Sequence, residues 1–208
     1  MHLVFMLEEP STEAFLQGFL PGVFPDGVSW DLHPFNGKQE LLRELPVRLK
    51  AYRSWLPEDW RIVVLLDEDR QDCRVLKRTM EAMALGAGFA TRSAPARDGR
   101  FVVLNRIAVE ELEAWFLGDI TALAEAFPGV PPTLGQREKF RDPDGVSGGT
   151  WEALERVLQD AGHFAGGLGK IALAREMGPR LNPARNTSGS FRVFAEGLAS
   201  IISGNAAE

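Results

Sequence analysis

The chain has 208 residues, 45% of them hydrophobic and 25% charged, with a formal net charge of −6. That length supports one substantial core with at most a small appended unit, and the composition is that of a soluble globular protein. The negative balance argues against adhesion to nucleic acid through bulk charge, while leaving room for a local basic groove.

The first element is "HLVFML", a continuous apolar run of the kind expected for a strand covered on both faces. "EEPS" breaks it. Ser11 reads as an N-cap, and Phe15, Leu16, Phe19 and Leu20 form a helical stripe that Pro21 ends. Residues 28–35 alternate enough for a second strand. A helix follows Gly37 with Leu41, Leu42, Leu45 and Leu49, and Pro46 is expected to kink or divide it. "RIVVLL" is the clearest buried strand. Cys73, Leu76, Met80 and Met83 then mark one helix face, which Gly86 and Gly88 punctuate. Residues 100–109 read as another strand, and "EELEAWFLGD" as a helix burying Leu112, Trp115 and Phe116.

This alternation predicts an α/β fold with a mostly parallel sheet flanked by helices. We place the α/β core in residues 1–126. A C-terminal extension of residues 127–208 packs on it, beginning with a Pro/Gly-rich ordered loop or mobile lid over 127–150. Helical patterns resume at Trp151, Leu154 and Val157 and again at Phe191, Phe194, Leu198 and Ile201, and "SGNAAE" reads as a frayed tail.

One cysteine excludes an internal disulfide and suits a reducing compartment, so a cytoplasmic location is expected. No apolar run approaches the roughly 20 residues of a membrane span. "MHLVFML" lacks the basic start and cleavage site of a signal peptide. Cys73, His2, His33 and His163 are too scattered for a structural zinc site, so any metal is expected to be hard and oxygen-bound: Mg2+ or Mn2+.

Ligands of parallel sheets bind at the C-terminal ends of strands. Glu8 and Glu9 lie at one such end, and Asp67, Glu68 and Asp69 at another. Acids at i and i+2 can meet one ion if the chain bends between them, which gives Asp67 and Asp69 as ligands with Glu8 completing the set. A neighbouring unligated glutamate could move a proton. The plainer alternative is a solvated loop whose acids cap the next helix.

The blocks "LEEPSTEAFL", "GKQELL", "VVLLDEDRQDC", "RIAVEELEAWFLGD", "KFRDPD" and "SGSFRVFAEGL" together resemble a bacterial Toprim-like family of unknown function. It is related to the Toprim domain of topoisomerases, primases and overcoming-lysogenization-defect (OLD) nucleases. The resemblance implies a Toprim-like sheet with a C-terminal helical extension. It implies Mg2+- or Mn2+-dependent phosphodiester hydrolysis of DNA or RNA, phage defence, and a partner ATPase of the AAA or ABC type. The family glutamate falls on Glu8, and Glu9 stands where the pattern has glycine. The D-x-D falls on Asp67 and Asp69, and Glu111 and Glu113 are candidates for a second ion. Residues two apart on a helix face different ways, so at most one of that pair points inward unless the helix starts late.

Lys38 is a candidate phosphate contact or a solvated helix start. Arg137, Lys139 and Arg141 either touch a nucleic-acid backbone or stand exposed. Trp115 and Cys73 read as packing. "GGLGK" fails the P-loop spacing, because Phe164 and Ile171 occupy positions that need glycine and Ser or Thr. Two other functions compete with hydrolysis. One is a non-catalytic binding or regulatory subunit of an ATPase complex. The other is a phospho-acceptor receiver domain, which the long C-terminal part and the lack of a lysine after residues 100–109 disfavour.

Overall fold

The computed structural model describes residues 1–69 and 71–205; the last three residues of the expected tail, 206–208, lie outside the described residues. Its first strand, β1 (His2–Leu7), buries Leu3 to Leu7 in succession, each at most 1% exposed. Side chains alternate between faces along a strand, so an unbroken buried run means that both faces are covered. Helix α1 (Pro10–Phe19) follows, then β2 (Ser29–Pro34), α2 (Lys38–Arg53), β3 (Trp60–Asp67), α3 (Cys73–Gly86) and β4 (Val103–Ala108).

The four strands form one parallel sheet in the order β2-β1-β3-β4. The fold is α/β, with helices flanking the sheet. Position in the sheet explains the sequence patterns. β2 lies on an edge, and none of its residues is fully buried. Central β1 and β3 carry unbroken apolar runs, Leu3–Leu7 and Ile62–Leu66. On one face Val4 and Met6 of β1 and Ile62, Val64 and Leu66 of β3 join the buried stripes of α2 (Leu41, Leu45, Leu49) and α3 (Leu76, Met80, Ala84). Each stripe repeats every four residues, which keeps it on one side of its helix.

Three local expectations need correction. Helix α1 begins at Pro10, so Ser11 lies inside it, 3% exposed, rather than capping it. Proline suits the first helical position because its fixed φ is already helical and its missing N–H has no partner to lose. Pro46 does not divide α2, which runs through it for 16 residues. The buried Leu41, Leu45 and Leu49 hold both halves in register at the cost of one ladder bond. Cys73 is only half-buried; the buried stripe of α3 passes through Leu76, Met80 and Ala84.

The chain divides into two compact units interleaved in sequence. The first comprises residues 1–10, 25–107 and 194–208, and contains the sheet. The second comprises residues 11–24 and 108–193. The second unit holds α4 (Leu112–Leu117), α5 (Ile120–Ala126), α6 (Thr150–Asp160) and α7 (Lys170–Met177); α8 (Gly189–Asn205) starts there and ends in the first. An aromatic cluster fills the second unit. Phe15 lies 5.1 Å from Phe19, 5.8 Å from Trp115 and 5.7 Å from Phe116, and Phe191 lies 5.2 Å from Trp115. Trp115 is fully buried, as the sequence suggested, and its indole N–H donates to Ser190 Oγ at 2.9 Å. Helices α5 and α7 were not foreseen. The Pro/Gly-rich segment contains three short 3-10 turns and buries Leu134, Phe140 and Val146. Asp144 ties it down by accepting from Ser188 Oγ at 2.6 Å and from the Ser190 N–H at 2.7 Å. Among the described residues no helix is long and apolar enough to cross a membrane.

Candidate functional site

The strand order sets the location. From β1 the chain moves outward to β2, returns across the sheet to β3, and continues outward to β4. The crossovers therefore diverge between β1 and β3, and a parallel sheet has its natural crevice at the carboxyl ends of such a pair. Glu8 immediately follows β1, and Asp67 is the last residue of β3.

These two acids are brought together. Leu7 pairs with Leu65, and the Glu8 N–H donates to the Leu65 carbonyl at 3.2 Å. One step further on, the Asp67 N–H donates to Glu8 Oε2 at 3.0 Å. Glu8 is 9% and Asp67 5% exposed. Burial, the largest influence, pushes the Glu8 carboxyl above the usual range. The Asp67 N–H and the Lys38 ammonium pull it down, and the charges of Asp69 and Glu9 push it up again.

Asp69 takes a different role from the one expected. It has φ 52°, a left-handed conformation that aspartate tolerates better than most residues. Its Oδ2 accepts from Lys38 Nζ at 2.7 Å, and the same ammonium donates to the Glu68 carbonyl at 3.0 Å. Lys38 is not a solvated helix start: it is 8% exposed at the first position of α2, just beyond the end of β2. The sequence offered Lys38 as a phosphate contact or a solvated helix start, and its part as counter-ion to Asp69 was missed. The available signal was its place at the end of a strand neighbouring β1. Glu68 closes the loop by accepting the Cys73 N–H at 3.1 Å, and Asp72 caps α3 through the Arg74 and Val75 N–H groups. Glu9 is half-buried beside Glu8.

The remaining candidates belong to the second unit. Helix α4 does start late, at Leu112, with Glu111 as its extended N-cap residue. Glu111 Oε2 accepts from Thr150 Oγ1 and from the Trp151 N–H, both at 3.0 Å, so it caps the start of α6. Glu113 is 1% exposed within α4. Arg137, Lys139 and Arg141 are all exposed on the Pro/Gly-rich segment. Lys139 lies 5.8 Å from the Phe140 ring, and Arg141 Nε donates to the Gln136 carbonyl.

Hard carboxylate oxygens at a sheet crevice are the donor chemistry that Mg2+ or Mn2+ takes. Glu8 and Asp67 carry that chemistry at adjoining strand ends, where the Asp67 main-chain N–H already holds Glu8 Oε2. Among the described residues, however, no group of three or more His, Cys, Asp or Glu side chains is arranged to hold a metal ion. The expected third ligand, Asp69, is engaged by Lys38.

Fold and site thus define an α/β protein with an acid–lysine cluster at its sheet crevice. The family model described as "Domain of unknown function (DUF4276)" matches residues 7–199, and the chain belongs to that family. No curated protein and no solved structure matches it.

Proposed function

We propose that this protein is a Toprim-type, Mg2+- or Mn2+-dependent phosphodiester hydrolase acting on DNA or RNA. The observation that carries the reading is the 3.0 Å bond from the Asp67 main-chain N–H to Glu8 Oε2, which brings the ends of β1 and β3, 59 residues apart and each bearing an acid, to one crevice. Glu8 and Asp67 would hold the ion, with Asp69 joining when Lys38 releases it. The bound ion would polarise a phosphate ester and lower the pKa of a coordinated water. Glu9, beside the ligand pair, moves the proton. Lys38, released from Asp69, neutralises a phosphate oxygen. The basic residues Arg137, Lys139 and Arg141 contact the nucleic-acid backbone. In keeping with the Toprim resemblance, the protein works in the cytoplasm as a phage-defence effector with a partner ATPase.

The Lys38–Asp69 pair favours a second reading, a non-catalytic subunit of an ATPase complex. A lysine that already compensates Asp69 lessens the need for an ion there. Cleavage of plasmid DNA and tRNA in Mn2+, wild type beside Asp67→Ala, tests the two. Loss of about a hundredfold or more in the variant supports hydrolysis, the scale expected when a metal ligand is removed. Equal cleavage by both proteins refutes the metal assignment. No cleavage by either supports the second reading.

A further inference from the structure

At the opposite end of β3 lies a cavity of about 320 Å3, wholly within the first unit and lined in part by Arg53, Arg61, Arg100, Phe89 and Phe101. Arg61 and Asp67 are six residues apart on one strand, so the cavity stands about 20 Å from the acids at roughly 3.3 Å per residue. It is a separate site.

Its chemistry is cationic. Three guanidinium groups line it against one carboxylate, Glu58. Two further acids lie close by outside the lining: the charge of Asp59 acts on Arg61, and Asp98 forms an ion pair with Arg100 at 3.9 Å. The half-buried Arg61 is oriented in advance. Its Nη1 donates to the carbonyls of Glu58 and Trp60 at 2.7 and 2.8 Å, which fixes the guanidinium plane. Among the described residues its Nε and Nη2 have no hydrogen-bond acceptor. Burial, and then the charge of Arg100, both disfavour the charged form of Arg61, a cost that a bound anion would offset. Arg53 is also positioned, with its guanidinium 5.7 Å from the Phe89 ring. It passes Gly88, where a Cβ would stand 3.3 Å from its Nε and the backbone has φ +83°. Glycine at this point keeps the space that Arg53 occupies.

We propose that this cavity binds a phosphate monoester of mononucleotide size. In the lining itself guanidinium groups outnumber carboxylates three to one, which favours an anion with several oxygens such as a phosphate monoester. The guanidinium fork supplies paired N–H donors of the geometry that phosphate oxygens take. Phe101, with Leu56 and Val102, forms an apolar wall against which a base can lie. The volume falls at the lower end of the range for small-molecule sites, roughly 300 to 1,000 Å3, which suits one nucleotide and not a polymer.

Titration calorimetry with AMP, adenosine and inorganic phosphate tests this on the full chain. AMP should bind with a dissociation constant in the micromolar range, with adenosine at least about tenfold weaker, the effect of one lost charged contact. Arg61→Gln and the exposed Arg100→Gln should each weaken AMP about tenfold or more, and Asp67→Ala should leave it unchanged. Arg100→Gln guards against misfolding of the half-buried Arg61 variant. The proposal is overturned if AMP fails to bind, or binds wild type and Arg100→Gln alike. It is also overturned if inorganic phosphate alone matches AMP, or if a 5′-phosphorylated tetranucleotide binds far more tightly than AMP, which would place the phosphate on a nucleic-acid end.

Discussion

Lys38 Nζ lies 2.7 Å from Asp69 Oδ2, the carboxylate that the D-x-D pattern assigns to a metal. An ammonium and a dication on one carboxylate repel each other, so they compete for it. Lys38→Met removes the competitor. It should tighten Mn2+ binding about tenfold, the effect of losing one nearby charge worth roughly 1 kcal/mol or more. The metal-free variant should unfold at lower temperature than wild type. Mn2+ titration followed by electron paramagnetic resonance reads the first effect and a melting curve the second; unchanged affinity would mean that the ion does not use Asp69.

Glu8 carries a pH signature. Burial raises its carboxyl pKa in the folded state, so the fold favours the protonated form. The associated stability is complete below about 4.5, the ordinary glutamate value, and is lost as pH rises through the raised value. Glu8→Gln mimics the protonated form. The variant should melt above wild type at pH 7, and the difference should vanish by pH 4. A gap that persists or widens in acid contradicts the assignment.

Glu111 distinguishes a cap from a ligand. Its Oε2 accepts the Trp151 N–H and Thr150 Oγ1. Removing such a cap typically costs about 1 kcal/mol. Glu111→Ala should therefore lower the urea midpoint by that equivalent and leave Mn2+ affinity unchanged. A tenfold or greater fall in affinity, about 1.4 kcal/mol, would instead make it a ligand.

Asp144 secures the Pro/Gly-rich segment through Ser188 Oγ and the Ser190 N–H. Asp144→Ala strands those donors in a region where Ser188 is fully buried, at a cost of about 1 to 3 kcal/mol. Asp144→Asn, which keeps an acceptor oxygen, should recover part of the loss in urea unfolding. Protease sensitivity over residues 127–150 should rise in the alanine variant alone.

The sheet was legible because burial on both faces writes itself into β1 and β3 as unbroken apolar runs. Edge strand β2, with no fully buried residue, left a weaker trace, and the short helices α5 and α7 left none that was recognised. Each offers only one or two turns of pattern, too few for a period to emerge. Glu8, Asp67 and Asp69 were legible as strand-end acids. The partition of Asp69 to Lys38 was not, because it depends on the left-handed turn at Asp69 and on residues 31 apart. The capping role of Glu111 was hidden for a similar reason: its partners, Thr150 and Trp151, come some 40 residues later. Nothing local in Arg53, Arg61 and Arg100 pointed to a shared cavity.

Residues 11–24 depart from one compact unit, serve the other, and return, while α8 begins in the second and finishes in the first. A gene cut within residues 11–193 therefore severs segments that both units require. Expressing residues 1–126 or 127–208 alone should give insoluble or unfolded products, and a tag or fusion partner belongs at a chain end rather than at an internal junction.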